Sequence, residues 1–179
     1  MTSDTPREGV EIRRLGIEDV DAFWALRLRA LRDHPGAFGS SYEESRERSP
    51  ERVRRDFAAR NTGPDHATIG AFLDGRLIGM VACSREDGLK DRHKAFIWSM
   101  YVAPEARGRG VGRALMDAAV ATARSWDGVE QVHLAVASDN EGARRLYRAC
   151  GFTTWGVERH ALKLPERYVD EDHMVLWLT

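Results

Sequence analysis

Short apolar runs and alternating apolar positions predict about seven β-strands along this chain. The predicted strands cover residues 10–15, 67–73, 76–84, 95–102, 131–137, 152–164 and 172–178. Other segments repeat apolar residues at three- and four-residue intervals, which predicts about four amphipathic helices. The predicted helices cover residues 16–34, 50–60, 111–125 and 141–150. The pattern therefore predicts an α/β protein with the element order β-α-α-β-β-β-α-β-α-β-β.

The first predicted helix illustrates the helical spacing. One stripe of it carries Val20, Phe23, Trp24, Arg27, Leu28 and Leu31. Polar residues occupy the opposite side, which is typical of a helix packed on a core. His34-Pro35-Gly36 then ends the helix, because proline and glycine both interrupt helices.

The segment between the first two helices, residues 37–48, lacks a clear period. It brings aromatic and acidic residues close together in sequence: Phe38, Tyr42, Glu43 and Glu44. Loops held by a rigid scaffold often form binding sites. The segment is interpreted either as a wall of a substrate site or as a charged connector.

Length and composition are those of one globular domain. The chain has 179 residues, of which 42% are hydrophobic and 31% charged, so it can bury a core and is not expected to be disordered. We expect one domain over residues 10–179 after a polar, flexible lead-in of residues 1–9. A net charge of −1 and a pI of about 6.6 give no globally basic surface for nucleic acid or an anionic membrane.

The two cysteines, Cys83 and Cys150, form no CxxC pair and no metal-ligand cluster, so no metal site is predicted. Both are expected to be reduced thiols, as in cytosolic proteins. The sequence shows no apolar run of ~18 residues and no signal peptide. The expected location is the cytoplasm.

The strand at residues 95–102 leads into a glycine-rich turn and then a helix. After Pro104 stops the strand, glycines and arginines follow closely: Arg107, Gly108, Arg109, Gly110, Gly112 and Arg113. Glycine lets the backbone turn and approach a ligand, and the free N–H groups of a helix N-terminus attract negative charge. Arginine adds positive charge suited to phosphate oxygens. The stretch therefore predicts an anion site.

Two common phosphate motifs do not fit these glycines. A P-loop needs Lys-Ser/Thr after its last glycine, and a dinucleotide fingerprint needs glycine where Arg113 or Leu115 stands. The stretch instead resembles the acetyl-CoA motif of the GNAT superfamily of N-acetyltransferases. The matching residues are Val102-x-Pro104 followed by Arg107-x-x-Gly110-x-Gly112.

This resemblance covers about residues 10–179, although only the middle third is motif-specific. It implies a GNAT-like mixed, twisted sheet of about seven strands flanked by about four helices, with splayed central parallel strands. It also implies acetyl-CoA as cosubstrate, whose pantetheine arm would pair with Met100, Tyr101 and Val102 like an extra strand. The pyrophosphate would be held by Arg107, Gly108, Arg109, Gly110, Val111, Gly112 and Arg113.

A second matching feature is Asn140-x-x-Ala143-x-x-Leu146-Tyr147-x-x-x-Gly151-Phe152. By the resemblance, Asn140 would bond the pantetheine arm, and Tyr147 would be the catalytic acid that protonates the thioester sulfur. A tyrosine of ordinary pKa, ~10, is protonated at neutral pH and can give this proton. The alternative is a core tyrosine, since Tyr147 shares an apolar face with Leu146 and Cys150.

The residues that would bind and deprotonate the amine acceptor are harder to identify than those of the acetyl-CoA motif. Many members of the family carry a glutamate on the strand before the glycine turn, whereas no carboxylate stands at residues 96–100 here. Glu43 or Glu44, His133, or a relayed water remain as alternative bases. The candidate acceptor-site residues are Phe38, Tyr42, Glu43, Glu44, Trp98 and Ser99.

The tail, residues 159–174, loosely resembles the small-amine and amino-acid branch of the family, including phosphinothricin-type enzymes. Arg159 and Lys163 could hold a substrate carboxylate there. They could equally be solvated charges that guard a strand edge.

Together with these patterns, the resemblance implies an acetyl-CoA-dependent N-acetyltransferase that acts on a primary amine, small or amino-acid-like. Direct attack in a ternary complex is expected, because no activated Cys or Ser nucleophile is apparent. The alternatives are a non-catalytic acyl-CoA-binding sensor and an acetyltransferase of protein N-termini or lysines. A homodimer is compatible with the resemblance.

Overall fold

The computed structural model describes residues 9–178. Its strands are β1 (Val10–Arg14), β2 (His66–Leu73), β3 (Arg76–Arg85), β4 (Lys94–Val102), β5 (Gln131–Ala137), β6 (Thr153–Lys163) and β7 (Tyr168–Trp177). Its α-helices are α1 (Val20–Asp33), α2 (Tyr42–Arg46), α3 (Pro50–Asn61), α4 (Val111–Arg124) and α5 (Glu141–Ala149). Apart from Gly9, the predicted lead-in of residues 1–9 lies outside the described residues.

The strands form one mixed sheet in the order β1-β2-β3-β4-β5-β7-β6. The neighbours β4 and β5 are parallel, and the other neighbouring pairs are antiparallel. The β4–β5 ladder contains only three residue pairs, and the last of them joins Phe96 and His133. Beyond this pair the strands diverge and the sheet opens at its centre. The predicted mixed sheet with splayed central strands is confirmed.

A bulge interrupts β4 where it borders this opening. Met80 of β3 lies opposite Tyr101, but Ala82 lies opposite Trp98, so two residues of β4 face one residue of β3. Ser99 lies in the bulge with φ 56°, a left-handed conformation that is uncommon for a non-glycine residue. Bulges redirect side chains and end strand pairing.

The hydrophobic core lies on both faces of the sheet. On one face, α4 buries Leu115 and Met116 against Val81 of β3. On the other face, α1 packs Leu26 and Ala30 against Met80. Successive residues of a strand point to opposite faces, so neighbouring residues of β3 serve the two layers.

The structure adds a short helix to the predicted secondary structure. Residues 42–46, in the segment predicted to be irregular, form α2, so the described residues contain five α-helices rather than about four. The Ser41 hydroxyl accepts a hydrogen bond from the Glu44 backbone N–H at 3.1 Å. Ser-x-x-Glu is a helix-start signal, but five residues are too few to show a helical period.

Strand β7 also begins earlier than predicted, at Tyr168 rather than at residue 172. It pairs with β6 from Tyr168 onward, opposite Lys163. Among residues 9–178, no helix has the length and apolar character needed to cross a membrane.

Candidate active site

The opening between β4 and β5 forms a cleft of about 1420 Å³. Residues 96–102 of β4 and 134–137 of β5 line it, together with the segment 33–40 that follows α1. The N-terminal ends of α4 and α5 border the same cleft. An open site at the divergence of two parallel strands is a common place for ligand binding in α/β proteins.

The glycine-rich turn forms one end of the cleft. Gly108 and Gly110 have φ of 72° and 75°, which favours glycine at both positions. Gly110 is the N-cap of α4 and provides no side-chain cap, so the first N–H groups of this helix have no capping partner. A Cβ on Gly112 would lie 3.2 Å from Leu146 and 3.5 Å from Met100, inside the cleft wall. The backbone N–H groups at the start of α4 are thus not covered by side chains, and an anion can approach them.

The three arginines of this turn have different surroundings. The Arg107 guanidinium donates to the Val102 carbonyl at 3.0 Å and lies 2.9 Å from His34 Nε2, so it ties the turn to β4 and to the segment after α1. Arg113 donates to Asp117 at 2.9 Å and to the Ala149 carbonyl. Arg109 is exposed beside the turn, and neither Arg109 nor Arg113 lines the cleft.

Met100, Tyr101 and Val102 lie along the cleft, at the part of β4 that β5 no longer pairs. Tyr101 is buried, and burial raises the pKa of its hydroxyl, which has no hydrogen-bond partner in the described part of the chain. Val111 also lines the cleft at the first position of α4. This edge of β4 is placed to pair with an extended ligand.

Asn140 and Tyr147 lie on α5, across the cleft from β4. The Asn140 side-chain oxygen caps α5 by accepting from the Ala143 N–H at 3.1 Å, which leaves its amide N–H groups as donors. Tyr147 is 7% exposed, and burial is the main cause that raises the pKa of its hydroxyl. Within residues 9–178 that hydroxyl has no hydrogen-bond partner. Tyr147 lines the cleft, so its neutral O–H group can donate a hydrogen bond to a ligand there.

The predicted acceptor-site residues divide into two groups. Phe38, Trp98 and Ser99 line the cleft. The other three, Tyr42, Glu43 and Glu44, belong to α2 and do not line it. Helix α2 thus carries its carboxylates away from the opening of the sheet.

Two other sequence candidates have partners outside the cleft. His133 lies 2.8 Å from the Gln131 side chain and does not line the cleft. Arg159 donates to Asp170 at 2.6 Å, which neutralises its charge. The structure therefore favours the interpretation of Arg159 as a strand-edge charge.

Among the described residues three carboxylates line the cleft, and none of them is among the site residues predicted from the sequence. Asp33 pairs with Arg32 at 2.9 Å, and Asp139 pairs with Arg167 at 2.7 Å. Glu171 of β7 has no ion-pair partner among the described residues, and burial raises the pKa of its carboxyl. Its position in an alternating strand gave no signal, because β7 was predicted to begin one residue later.

A second cavity of about 170 Å³ adjoins the cleft. The two share Arg27, Ser40, Trp98 and Ser99, so they meet at the bulge of β4. Sequence reasoning placed Arg27 in the stripe of α1 without assigning it a function. The signal for Arg27 in the sequence is its position, because it is an arginine within the apolar stripe of a predicted helix.

A mixed sheet that opens between two parallel strands, beside a bare helix N-terminus, has room and polarity for an extended anionic ligand. The profile of the family described as "Acetyltransferase (GNAT) family" matches residues 29–152. The chain belongs to this family, as its glycine-turn motif predicts.

Known proteins agree with this assignment. The chain is 34% identical over 158 residues to a mycothiol acetyltransferase of Thermobispora bispora, an alignment that covers 84% of this chain and 49% of that protein. The chain thus spans about half the length of the curated relatives it matches.

Solved structures share the fold. The GNAT-family acetyltransferase of Streptococcus pneumoniae superposes with a TM-score of 0.85 at 19% identity, covering 94% of this chain and 99% of that one. A phosphinothricin acetyltransferase of Sinorhizobium meliloti, solved in complex with acetyl-CoA, gives 0.80 at 21% identity, covering 95% and 89%.

Proposed function

We propose that this protein transfers an acetyl group from acetyl-CoA to a primary amine by direct attack in a ternary complex. The observation that carries the proposal is the uncapped N-terminus of α4, reached through Gly108 and Gly110, at the end of the cleft between β4 and β5. Membership of the acetyltransferase family supports it. The S. meliloti neighbour with the same fold was solved with acetyl-CoA.

The cleft fits the two chemically different parts of acetyl-CoA. The N–H groups at the start of α4 would donate hydrogen bonds to the pyrophosphate, aided by the helix dipole and the exposed guanidinium of Arg109. Residues 100–102 would bond the amide-containing pantetheine arm through strand edges that β5 leaves open. The free amide of Asn140 would donate to the same arm from α5.

Tyr147 is proposed as the acid for the departing sulfur. Acetyl-CoA supplies a reactive thioester, and the thiol it releases, of pKa ~8.5 by analogy with cysteine, leaves more easily as it gains a proton. Burial keeps the Tyr147 hydroxyl protonated well into the alkaline range. No protein acceptor in the described chain competes for that proton.

Direct attack is proposed because neither thiol is activated. Burial raises the pKa of Cys83 to about 12 and also raises that of Cys150. A catalytic thiol needs a lowered pKa. The amine itself is therefore the nucleophile.

Glu171 is proposed as the base that prepares this nucleophile. Deprotonating an alkyl ammonium of pKa ~10.4 at pH 7 costs about 4.6 kcal/mol, so a nearby proton acceptor helps. Glu171 lines the cleft, is half-buried and has a raised pKa, mainly through burial. A carboxylate with a raised pKa is a stronger base than an ordinary glutamate.

The variant Glu171→Gln is expected to lower kcat by about tenfold and to remove the acidic limb of the pH profile of kcat. In the wild type, kcat should rise with pH as Glu171 loses its proton, above the ordinary glutamate range. Glu166→Gln, in the turn before β7, is the matched control. Wild-type kcat with an unchanged acidic limb in Glu171→Gln would exclude this base.

The proposed function is tested by thermal unfolding followed by turnover. Acetyl-CoA at ~100 times its Kd should add about 2.7 kcal/mol, or several degrees, whereas NAD and ATP at the same concentration should not. Thiol release is then measured with a panel of primary amines, including the acceptor of mycothiol acetyltransferase, since curated relatives carry that name. Binding without release of thiol from any amine, peptide N-terminus or lysine would favour the sensor alternative.

A further inference from the structure

The cavity of about 170 Å³ beside the bulge of β4 is lined by a partly buried cation that has no counter-ion among the described residues. Arg27 of α1 lines it, and its Nη1 is buried and has no hydrogen-bond partner. Within the described residues 9–178, no carboxylate pairs with Arg27. Its guanidinium packs over the Phe38 ring at 4.7 Å, which fixes the group without neutralising it.

Other charges around the cavity add to the positive potential. Arg48 and Arg60 also line it, and neither forms an ion pair in the part of the chain that is described. Burial, followed by Arg60 and Arg48, lowers the pKa of Arg27 to about 10, so the guanidinium remains charged at neutral pH. One carboxylate, that of Asp56, also lines the cavity, and it lies 3.7 Å from Arg52 and from Arg55, which partly balance its charge.

A second buried polar atom lines the same cavity without a partner. His66 of β2 has a buried Nδ1 that makes no hydrogen bond. Buried polar groups in folded proteins are almost always bonded, so two such atoms around one cavity indicate a ligand that bonds them. An anion meets this need, because it accepts from a guanidinium and from a protonated or suitably tautomeric imidazole.

The position of the cavity indicates that this anionic group is part of the acceptor molecule rather than of acetyl-CoA. None of the residues 107–113 of the glycine turn lines the cavity. The cavity instead opens into the cleft through Trp98 and Ser99, at the bulge of β4. A molecule seated in the cavity can extend an amine into the cleft while the pyrophosphate site stays occupied.

We propose that the acceptor is a small amine bearing an anionic group, carboxylate or phosphate, which the buried guanidinium of Arg27 binds. The inference rests on the proposed function and names its substrate class. Trp24 and Phe57 line the same cavity. They would enclose a compact apolar part of the acceptor, between its anionic group and its amine. Arginine presents a planar fork that fits either anion with two hydrogen bonds.

The test compares amines that differ only in the anionic group. L-alanine, L-methionine and L-phenylalanine are each assayed against their carboxamides, and phosphoethanolamine against ethanolamine, by thiol release from acetyl-CoA. The anionic member should have a kcat/KM higher by about 10- to 100-fold, as expected for a charge-assisted pair. The carboxylate and phosphate arms show which anion the cavity prefers.

In Arg27→Gln this preference should fall to about one, mainly through a higher KM for the anionic amines. Arg27→Lys should retain part of the preference, because it keeps the charge but loses the fork. Arg124→Gln removes the same charge from the exposed end of α4 and is the control. A wild-type preference for the neutral members, or a preference that survives in Arg27→Gln, overturns the inference.

A binding measurement separates this inference from the proposed function. The amine-free anions lactate, phenyllactate and inorganic phosphate are titrated by calorimetry into wild type and Arg27→Gln. Binding in the wild type that the variant loses supports the anion site, even if no amine is acetylated and the proposed function fails. Absence of binding by all of them in the wild type overturns the inference, whatever the activity assay gives.

Discussion

Replacing Tyr147 with phenylalanine is expected to lower kcat for acetyl transfer by about 10²-fold, the lower range of general acid catalysis. The substitution removes one oxygen from a side chain that is otherwise packed against Phe152, with ring centroids 6.3 Å apart. Since the hydroxyl has no protein partner in the described chain, its loss leaves no other group unpaired. The free energy of unfolding should therefore change by less than about 0.5 kcal/mol.

The pH dependence sharpens this prediction. Burial raises the pKa of Tyr147, so the hydroxyl is a proton donor throughout the neutral and moderately alkaline range. The ratio of wild-type to variant kcat should stay constant between about pH 6 and 9, where a tyrosine of even ordinary pKa is protonated. Tyr168→Phe, on the exposed part of β7, is the control. Equal kcat in wild type and Tyr147→Phe would show that the thiolate leaves unassisted and that Tyr147 is a core residue.

The fold could be predicted largely because its signals are local. The strand before Pro104, the glycines of the turn and the stripe of α4 follow one another within 95–125, and each has a simple physical cause. The start of α5 was equally readable, since Asn140 caps it in the structure. Helix α2 was not predicted, because the five residues after the capping signal at Ser41 are too few to show a helical period.

The acceptor side could not be predicted in the same way, because it depends on which charges meet in space. Arg27 and Arg159 are both arginines in regular elements, and their sequence contexts favour Arg159 as the residue that binds a substrate carboxylate. In the structure Arg159 is exposed and paired with Asp170, whereas Arg27 has a buried Nη1 without a hydrogen-bond partner in the described part of the chain. Glu171 acquires its place in the cleft only through pairing with Ala137 across β5 and β7. Partners distant in sequence determine these environments.

The variant Gly112→Val is expected to weaken acetyl-CoA binding by at least about 100-fold, measured as the Kd from calorimetry. A Cβ at this position already lies 3.2 Å from Leu146 and 3.5 Å from Met100, and the two further methyl groups of valine would occupy the cleft beside the start of α4. The bulky side chain would keep the pyrophosphate from the free N–H groups. Losing two charge-assisted hydrogen bonds of about 1.5–3 kcal/mol each, or about 3–6 kcal/mol together, accounts for a loss of this size.

A graded series distinguishes this steric effect from damage to the helix. Gly112→Ala adds only the Cβ, whose nearest neighbour is the flexible end of Leu146, and should weaken binding by about tenfold. Ala121→Val places the same β-branched residue on the exposed face of α4 and should leave binding unchanged. Wild-type affinity in Gly112→Val would mean that the anion does not bind at the N-terminus of α4. Because Tyr147→Phe should bind acetyl-CoA normally but turn it over slowly, the two variants separate binding from chemistry in one cleft.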